Sequence, residues 1–530
     1  MAIETDVYGA IMLHTLLTVL VPAPLLISAA FSFLNPGFRP RPALWTAEAS
    51  ALIALAVALV SVGSLVLLGS GTSPHVGPGW LGLSVRLDAV SAAMAVLVTF
   101  IGWVVVRYSR VYLDGDTRQG AFMGWLCLTL AAVLLLVTAG NLAQLALGWI
   151  GAGLSLQKLL LFYPQRLAAQ RAARKALIVT RMGDLALIAA PGLLLAAYGT
   201  ADIGQILAAA RDGQGGGPAV GGAAMLALAA VLKSAQFPLH GWLTEVMEAP
   251  TPVSALLHAG VINAGGFLLI RFADVILLAP GVLAALVVLG GFTALFGSLV
   301  MLTQPAVKTS LAWSTVAQMG FMTLQCGLGL FPLALLHIVA HSLYKAHSFL
   351  ASGGAVERVA AIRRPGPVAT PGAGAVGRAF LAALALYCLI GLAFGLTHKS
   401  PQIIALGAIL IFGVAYMLAQ GFADAAPAAL TRRTAVYAVF TSAAYFALQM
   451  GATWLTSGIL PPAPAPGPLE WGLIGLAVIS FGLVAVVQAM FPLWAQHPAA
   501  AGLRVHLSNG FYANAVFNRL IGGWSARRAA

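Results

Sequence analysis

Residues 229–243, AAVLKSAQFPLHGWL, place Lys233 directly after a long apolar run and five residues before Pro238. Lysine is among the costliest side chains to place in hydrocarbon, so the position needs either a route for the charge to reach water or a use for it. Pro238, Pro250 and Pro252 then end or interrupt a helix. Interrupted helices at membrane depth mark ion sites in transporters, so the segment predicts a functional lysine at a broken helix. Snorkelling of the lysine to the interface is the alternative.

Composition places the whole chain in the membrane. Of 530 residues, 60% are hydrophobic and only 8% are charged, whereas soluble domains carry about 25% charged residues. Apolar segments of about 20 residues, the length that crosses the hydrocarbon as a helix, recur along the chain. The predicted fold is an all-α polytopic membrane protein with about 15 transmembrane helices. The acidic first residues predict no cleaved signal peptide, and residues 70–88 are expected to hold a short hairpin.

The formal net charge of +13 raises the possibility of nucleic-acid binding, but its distribution argues against that partner. The basic residues concentrate in every second loop, whereas the other loops and the N-terminus are poor in them. By the positive-inside rule we expect a bacterial inner-membrane protein with its N-terminus outside and its C-terminus in the cytoplasm. The loops expected in the cytoplasm hold Arg39, Arg41, Arg107, Arg110, Arg118, Arg166, Arg171, Arg174, Lys175, Lys308, Arg358, Arg363, Arg364, Arg378, Arg432, Arg433, Arg504, Arg519, Arg527 and Arg528.

Motifs of soluble chemistry are missing from the sequence. Cys127, Cys326 and Cys388 lie singly within apolar segments, so we expect no zinc or iron–sulfur site in this chain. The glycine-rich stretch GQGGGP at 213–218 lacks the Gly-Lys-Ser/Thr ending of a phosphate-binding loop. The chain is therefore expected to hold no cofactor and not to be an enzyme.

A row of titratable side chains lies in LLHIVAHSLYKAHSFLASGG at 335–354. His337, His341 and Lys345 recur every four residues and share one helix face. Two histidines at this spacing suit a metal, but a lysine in the row repels a cation and no third ligand stands nearby. Imidazole titrates near neutral pH and passes a proton between its nitrogens, so the row favours proton transfer. Hydrogen-bonded core histidines are the alternative.

Other intramembrane charges extend the pattern. His258 follows the proline-rich break. Arg181 and Asp184 are three residues apart, and this spacing predicts a local ion pair within a helix. The pair either sets the charge state of a nearby lysine or has only a structural role. Lys399 precedes Pro401 and so repeats the arrangement of Lys233. Two lysines at two broken helices are typical of two inverted repeats.

We therefore predict two inverted five-helix repeats with broken helices. The expected division of the chain is N-terminal helices in 1–120, a first repeat in 121–280, a second repeat in 281–420, and C-terminal helices with a cytoplasmic amphipathic tail in 421–530.

Three stretches resemble the signature segments of the proton-translocating antiporter-like family, which includes the large membrane subunits of respiratory complex I and the Mrp antiporters. They are residues 232–260, 307–322 and 336–353. The resemblance implies that Lys233 is the central lysine of the first broken helix and Lys399 that of the second. It also implies that a connecting relay is formed by His258, His337, His341 and Lys345. Arg181 and Asp184 would then be the supporting charged pair.

One departure separates the chain from the complex I subunits. LGWIGAGLSL at 147–156 places Ile150 where they carry a glutamate, so the carboxylate partner of Lys233 is expected to be missing. With this departure, the chain is most similar to the DabB membrane subunits of bacterial inorganic carbon complexes. That resemblance implies inward conduction of protons or sodium, which drives one-way CO2 hydration to bicarbonate in a large cytoplasmic partner, DabA, whose zinc site does the chemistry. A pumping subunit of a respiratory complex and a non-conducting scaffold are the alternatives.

Overall fold

The structure is a computed structural model that describes residue 15 and residues 17–78, 82–354, 371–423, 426–495 and 497–520. Part of the charge pattern that predicts orientation lies outside the described residues, namely the acidic N-terminus and Arg358, Arg363, Arg364, Arg527 and Arg528.

Helices make up most of the described chain, because backbone groups in lipid must be paired within the segment. Up to residue 354 the helices are α1 (Ala23–Leu34), α2 (Arg41–Leu68), α3 (Ala89–Tyr112), α4 (Gln119–Val137), α5 (Leu142–Leu160), α6 (Leu167–Tyr198), α7 (Ile203–Arg211), α8 (Gly216–Lys233), α9 (Gly241–Thr244), α10 (Thr251–Ala259), α11 (Ala264–Arg271), α12 (Ala273–Leu277), α13 (Pro280–Met301), α14 (Val307–Gly327) and α15 (Phe331–Leu350). After it they are α16 (Ala373–Ala393), α17 (Pro401–Gly421), α18 (Ala428–Leu455), α19 (Pro468–Ala489), α20 (Phe491–Trp494), α21 (Ala501–Ser508) and α22 (Ala513–Leu520).

Twelve helical segments in the described chain are long and apolar enough to cross a membrane. The polytopic all-α fold is therefore confirmed. Helices α5, α14 and α15 have 19 to 21 residues but are not among the twelve. Polar residues lower their apolar character, and α15 carries His337, His341 and Lys345. The expected count of about 15 spans stays a prediction, as does the division into two inverted repeats.

Helices α13 and α14 pack at backbone contact because glycines face each other. A methyl group added at Gly290 would lie 2.7 Å from the carbonyl oxygen of Gly320, and one added at Gly320 would lie 2.7 Å from that of Gly290. Small residues allow this close approach between membrane helices, where dispersion forces replace the hydrophobic effect. The backbones of α13 and α14 are thereby held against each other.

Three of the helix interruptions in the described chain lie next to titratable side chains that the sequence singled out. Helix α8 ends at Lys233, and Ala235 adopts a left-handed conformation with φ of 49°, which is sterically costly for alanine. A second break separates α16 from α17, where Gly395 has φ of 72°. The third lies between α10 and α11, where a 3-10 turn spans Val261–Asn263. The sequence interpretation predicted the first two breaks and missed the third.

The expected hairpin forms from strands β1 (Gly71–Thr72) and β2 (Arg86–Leu87), which pair antiparallel. It leads into Asp88, which caps α3 by accepting a hydrogen bond from the Ser91 amide at 2.9 Å. Arg271, at the end of α11, contacts the same carboxylate at 2.5 and 3.1 Å, and Arg86 contacts it at 2.8 Å. Burial alone raises the pKa of Asp88, but the two guanidinium groups and the Ser91 amide hold it well below its usual range.

Replacement of Arg271 by methionine is expected to lower the free energy of unfolding by about 3 kcal/mol, because it leaves a buried carboxylate with one partner fewer. Thermal unfolding of the purified protein in detergent measures the loss. Arg39→Met is the control, since its ion pair with Asp114 is 53% exposed on both sides, and it should cost less than about 1 kcal/mol. Equal losses in the two variants would contradict a structural role for the buried pair.

Candidate functional site: a buried chain of ionisable side chains

Lys233 lies at the end of α8 and is only 3% exposed. Its ammonium group stands 4.8 Å from the centroid of the Trp149 ring, in cation–π range. No described residue is hydrogen-bonded to Nζ. A methyl group on Gly153 would lie 3.7 Å from it, so this glycine leaves the space in front of the amine open. Buried amines are usually hydrogen-bonded, so an unpartnered one at a helix break is a candidate for function.

A carboxylate stands beside this amine, although not on the expected helix. Trp149 Nε1 donates a hydrogen bond to Asp184 Oδ1 at 2.9 Å, and Arg181 Nη2 lies 2.9 Å from Oδ2. Asp184 interacts electrostatically with Lys233. Ile150, which occupies the glutamate position, packs against the main hydrophobic core. Among the described residues no carboxylate lies within ion-pair distance of Lys233, and Trp149 is the residue that contacts both Lys233 and Asp184. The consequence of Ile150 for the partnering of Lys233 stays a prediction.

The 3-10 turn between α10 and α11 lies between the lysine and the histidine row. Ser234, next to Lys233, contacts the carbonyl oxygen of Ile262 at 3.5 Å on one side. On the other side Asn263 Nδ2 donates to Ser342 Oγ of α15 at 2.8 Å. The glycines around this turn, in HAGVINAGG at 258–266, are the sequence signal for this break. The turn physically joins the two groups of titratable residues.

The hydrogen bonds around His258 fix its tautomer. Thr315 Oγ1 donates to the carbonyl oxygen of Leu311 at 3.0 Å, so it accepts from His258 Nδ1, which lies 3.0 Å away. His258 Nε2 is then a buried acceptor with no hydrogen-bond donor among the described residues. Lys345 Nζ donates to the same Leu311 oxygen at 3.1 Å and interacts electrostatically with His258. An amine donor and an imidazole acceptor thus share one buried cluster.

The predicted row on α15 is present, and His341 links it to this cluster. His341 Nε2 donates to the carbonyl oxygen of His258 at 3.2 Å, because a carbonyl only accepts. The ring centroids of His337 and His341 are 5.9 Å apart. His341 and Lys345 are buried, whereas His337 is half-buried. The structure therefore brings together four of the six predicted path residues directly, and Lys233 through the 3-10 turn.

Lys399 lies apart from this group. It is half-buried at the junction of α16 and α17, and its Nζ lies 5.9 Å from the centroid of the Phe446 ring. Phe446 belongs to a hydrophobic core formed mainly by α16, α17 and α18, separate from the core around Lys233. Among the described residues no hydrogen bond, ion pair or ring contact joins Lys399 to the histidine row. Its place on the ion path stays a prediction.

Sequence reasoning missed three further polar residues near the break. His240 is fully buried, and neither ring nitrogen has a hydrogen-bond partner among the described residues. Lys175 is 4% exposed and pairs with Glu245 at 2.7 Å. His240 lies in the quoted segment, Glu245 follows it by two residues and Lys175 lies in α6, but their association depends on contacts that only the fold creates. In the described chain no group of three His, Cys, Asp or Glu residues could hold a metal ion.

The variant Asp184→Asn is expected to lower the free energy of unfolding by about 2 kcal/mol, because Lys233 and Arg181 then lose the carboxylate between them. Arg181 is 36% exposed on its side chain, which keeps the loss moderate. Adding Lys233→Met should recover at least half of the stability, since one of the two cations is gone. Thermal unfolding of the single and double variants measures the coupling.

The exposed Asp212→Asn serves as the control, and it should show no coupling with Lys233→Met. Additive effects of Asp184→Asn and Lys233→Met on the free energy of unfolding would contradict an interaction between Asp184 and Lys233.

Comparison with protein families gives two matches. The family described as "NADH:quinone oxidoreductase/Mrp antiporter, TM" matches residues 139–364. The family described as "NADH-Ubiquinone oxidoreductase (complex I), chain 5 N-terminus" matches residues 75–123. The first match contains Lys233 and all the path residues except Lys399.

Among solved structures, the Mrp complex from Dietzia sp. contains a chain that is 25% identical, with a TM-score of 0.64 over 96% of this chain and 59% of that one. Respiratory complex I from Thermus thermophilus contains a chain with the same fold, at a TM-score of 0.54 and 20% identity over 96% of this chain and 100% of that one. The membrane-arm fold of these complexes is thus shared over nearly the whole length.

Similar curated proteins include the probable inorganic carbon transporter subunit DabB2 of Halothiobacillus neapolitanus, which is 37% identical over 96% of this chain and 94% of that protein. DabB of Hydrogenovibrio crunogenus is 42% identical over 63% of this chain and 64% of that protein. The NADH-quinone oxidoreductase subunit L of Mycobacterium tuberculosis is 36% identical over 51% of this chain and 43% of that protein. The chain belongs to the DabB family of membrane subunits, within the antiporter-like family of complex I and Mrp proteins.

Proposed function

We propose that this chain is the membrane subunit of an inorganic carbon accumulation complex. In this proposal it conducts protons inward and thereby drives one-way hydration of CO2 to bicarbonate by a cytoplasmic, zinc-containing partner, DabA. Similarity over nearly the full length to a protein named as an inorganic carbon transporter subunit supports the assignment. The observation that carries it is the buried ammonium of Lys233 at a broken helix, within electrostatic reach of Asp184 and with no hydrogen bond to a described residue.

The path begins at Lys233, whose amine alternates between charged and neutral. Its charge is favoured by Asp184 and Trp149 and opposed by burial, so a small rearrangement at the break changes the balance. The flexible side chain, the lack of a side chain at Gly153 and the interrupted backbone allow such a rearrangement. Arg181 fixes one oxygen of Asp184, which keeps the carboxylate in place while the amine changes its charge.

The connecting relay uses the amine of Lys345 as donor and His258 Nε2 as acceptor. His258 Nδ1 donates its proton to a hydrogen bond with Thr315 Oγ1. A proton that binds Nε2 therefore leaves the ring from Nε2 again, or the Nδ1 proton leaves toward Thr315 after the Thr315 hydroxyl turns. His341 and His337 continue the row along α15. Amine and imidazole groups suit protons better than sodium, which prefers oxygen ligands, so sodium is the second choice of ion.

Energy for the partner comes from the membrane potential. One charge that moves inward across 100 mV releases about 2.3 kcal/mol, which corresponds to about a 40-fold shift in an equilibrium. The chain itself needs no cofactor for this role, and the zinc chemistry is assigned to DabA. We also propose the predicted topology, in the bacterial inner membrane with the N-terminus outside and the C-terminus in the cytoplasm, because the partner is cytoplasmic.

A respiratory pumping subunit is the second candidate function. It is favoured by the presence of Asp184 beside Lys233, since a lysine–carboxylate pair is retained even though Ile150 replaces the glutamate. That role requires quinone-linked partner subunits. The two functions differ in the direction of ion flow and in the neighbouring subunits, and both differ from a non-conducting scaffold, in which Lys233 would contribute to packing alone.

The test is growth in ambient air of a bacterium that lacks carbonic anhydrase and carries this protein with its DabA partner. We expect the native chain to restore growth and Lys233→Met to abolish it, because the methionine fills the site without carrying a proton. Lys158→Met is the matched control, since Lys158 is exposed and lies 5.9 Å from the Trp125 ring; it should restore growth like the native chain.

Membrane levels of the three proteins must match in this comparison. Growth with Lys233→Met would make the lysine structural. Failure of the native chain to restore growth would favour the second candidate function, a respiratory pumping subunit.

A further inference from the structure

The C-terminal segment formed by residues 501–520 folds back over the helix break. Its helices α21 and α22 are joined by Gly510, Phe511 and Tyr512, which have φ values of 56°, 48° and 59°. Left-handed conformations at phenylalanine and tyrosine are sterically costly and persist only where surrounding contacts enforce them. A methyl group added at Gly510 would lie 3.1 Å from Trp313 Cη2, and Gln304 Nε2 donates to the carbonyl oxygen of Ser508 at 3.2 Å. The segment is therefore held against α13 and α14.

Asn514 of α22 connects this segment to a buried ion pair. Lys175 Nζ of α6 lies 2.7 Å from Glu245 Oε2 and donates to Asn514 Oδ1 at 2.5 Å. Asn514 Nδ2 donates in turn to Glu245, and Asn518 Nδ2 reaches the same carboxylate at 3.5 Å. Phe517 covers the amine, with its ring centroid 5.5 Å from Nζ. One amide side chain thus satisfies both members of the pair at once.

Lys175 of this ion pair lies on α6, the helix that also carries Asp184 of the Lys233 site. Lys175 precedes Asp184 by nine residues on α6, which is about 13 Å along a helix axis. Glu245 follows Lys233 by twelve residues, in the short segment after the break. A path from the Lys233 site toward this end of α6 therefore reaches the Lys175–Glu245 pair.

His240 lies between Lys233 and Glu245 in the sequence of the break. It lies seven residues after Lys233 and five before Glu245, and its ring is enclosed by aromatic side chains, with Trp313 at 4.9 Å and Phe296 at 5.4 Å between centroids. It interacts electrostatically with Lys175. Both ring nitrogens are free of hydrogen bonds to described residues, although the side chain is fully buried. Trp313 is the residue that Gly510 covers, so the C-terminal segment lies over this enclosure.

We propose that Lys175, Glu245 and His240 form the mouth of the ion path and that the C-terminal segment 501–520 is its lid, latched by Asn514. This inference rests on the proposed ion conduction. With the lid docked, the amide of Asn514 occupies the hydrogen-bonding positions through which Lys175 and Glu245 would exchange protons with water. When the lid lifts, water replaces the amide, and the pair receives protons from Lys233 through His240 and releases them to water on the cytoplasmic side. Contact of the segment with a partner subunit would couple its lifting to the partner's state.

The first test measures proton flux into liposomes that contain the full-length chain. Asn514→Ala removes the latch and is expected to raise the flux about tenfold, the shift in lid opening expected when hydrogen bonds to two charged partners are lost. Asn509→Ala is the matched control, because Asn509 lies in the same segment and its Nδ2 donates to the local Val505 carbonyl oxygen rather than to the ion pair. This variant should leave the flux unchanged. Equal flux in native and Asn514→Ala would overturn the lid.

The second test locks the lid. A methyl group at Gly241 would lie 2.6 Å from Asn514 Cγ, so cysteines at both positions are close enough for a disulfide. The variant Gly241→Cys/Asn514→Cys is made with Cys388→Ser, since Cys388 is exposed whereas Cys127 and Cys326 are buried. We expect the oxidised form to conduct at least about tenfold less than the reduced form. A disulfide that forms fully and leaves the flux unchanged would overturn the lid.

A third measurement separates this inference from the proposed function, because it does not depend on conduction. Labelling of Lys175 by a membrane-impermeant amine reagent, followed by mass spectrometry, should be slow in the native chain, where Lys175 is 4% exposed, and faster in Asn514→Ala. Unchanged labelling with normal conduction would overturn the lid alone. Faster labelling with no flux in any variant would overturn conduction, and with it the role of the segment as a lid on an ion path.

Discussion

A charged side chain inside a lipid-embedded bundle must be compensated by the protein, and this constraint organises the structure around Lys233. The ammonium is placed at the end of a helix, against the face of Trp149 and within the electrostatic reach of Asp184, and it has no hydrogen bond to a described residue. Each of these partners stabilises the charge only in part. An amine whose charge is incompletely compensated changes its protonation state with small movements, and that property suits an ion path.

Irregular backbone appears where the titratable residues meet. The break after Lys233 and the 3-10 turn at Val261–Asn263 lie inside the bundle, where protein groups can pair the freed backbone atoms. That turn contacts Ser234 on one side and Ser342 on the other, so it connects the two groups of charges. The regular helices around it, packed at glycine contacts such as Gly290–Gly320, hold this irregular centre in place.

Hydropathy predicted the helical segments because apolar runs of membrane length can do little else in lipid. Spacing of four predicted the row of His337, His341 and Lys345 for an equally local reason. The predicted Arg181–Asp184 pair is equally local and is present, but its approach to Lys233 through Trp149 depends on how α5, α6 and α8 pack and has no signal in the sequence. The contact between Lys175 and Asn514 joins residues 339 positions apart, and no local pattern signals such a contact.

The central claim is that a buried amine and imidazoles carry protons across the membrane. Its most direct test is acidification of the interior of liposomes that contain the purified chain. A membrane potential that is negative inside is imposed, and the buffer is free of sodium. The account predicts acidification by the native chain in the absence of sodium, and loss of that signal when Lys233 is replaced by methionine. Acidification at the native rate by the Lys233→Met chain, or transport that appears only when sodium is added, would contradict it.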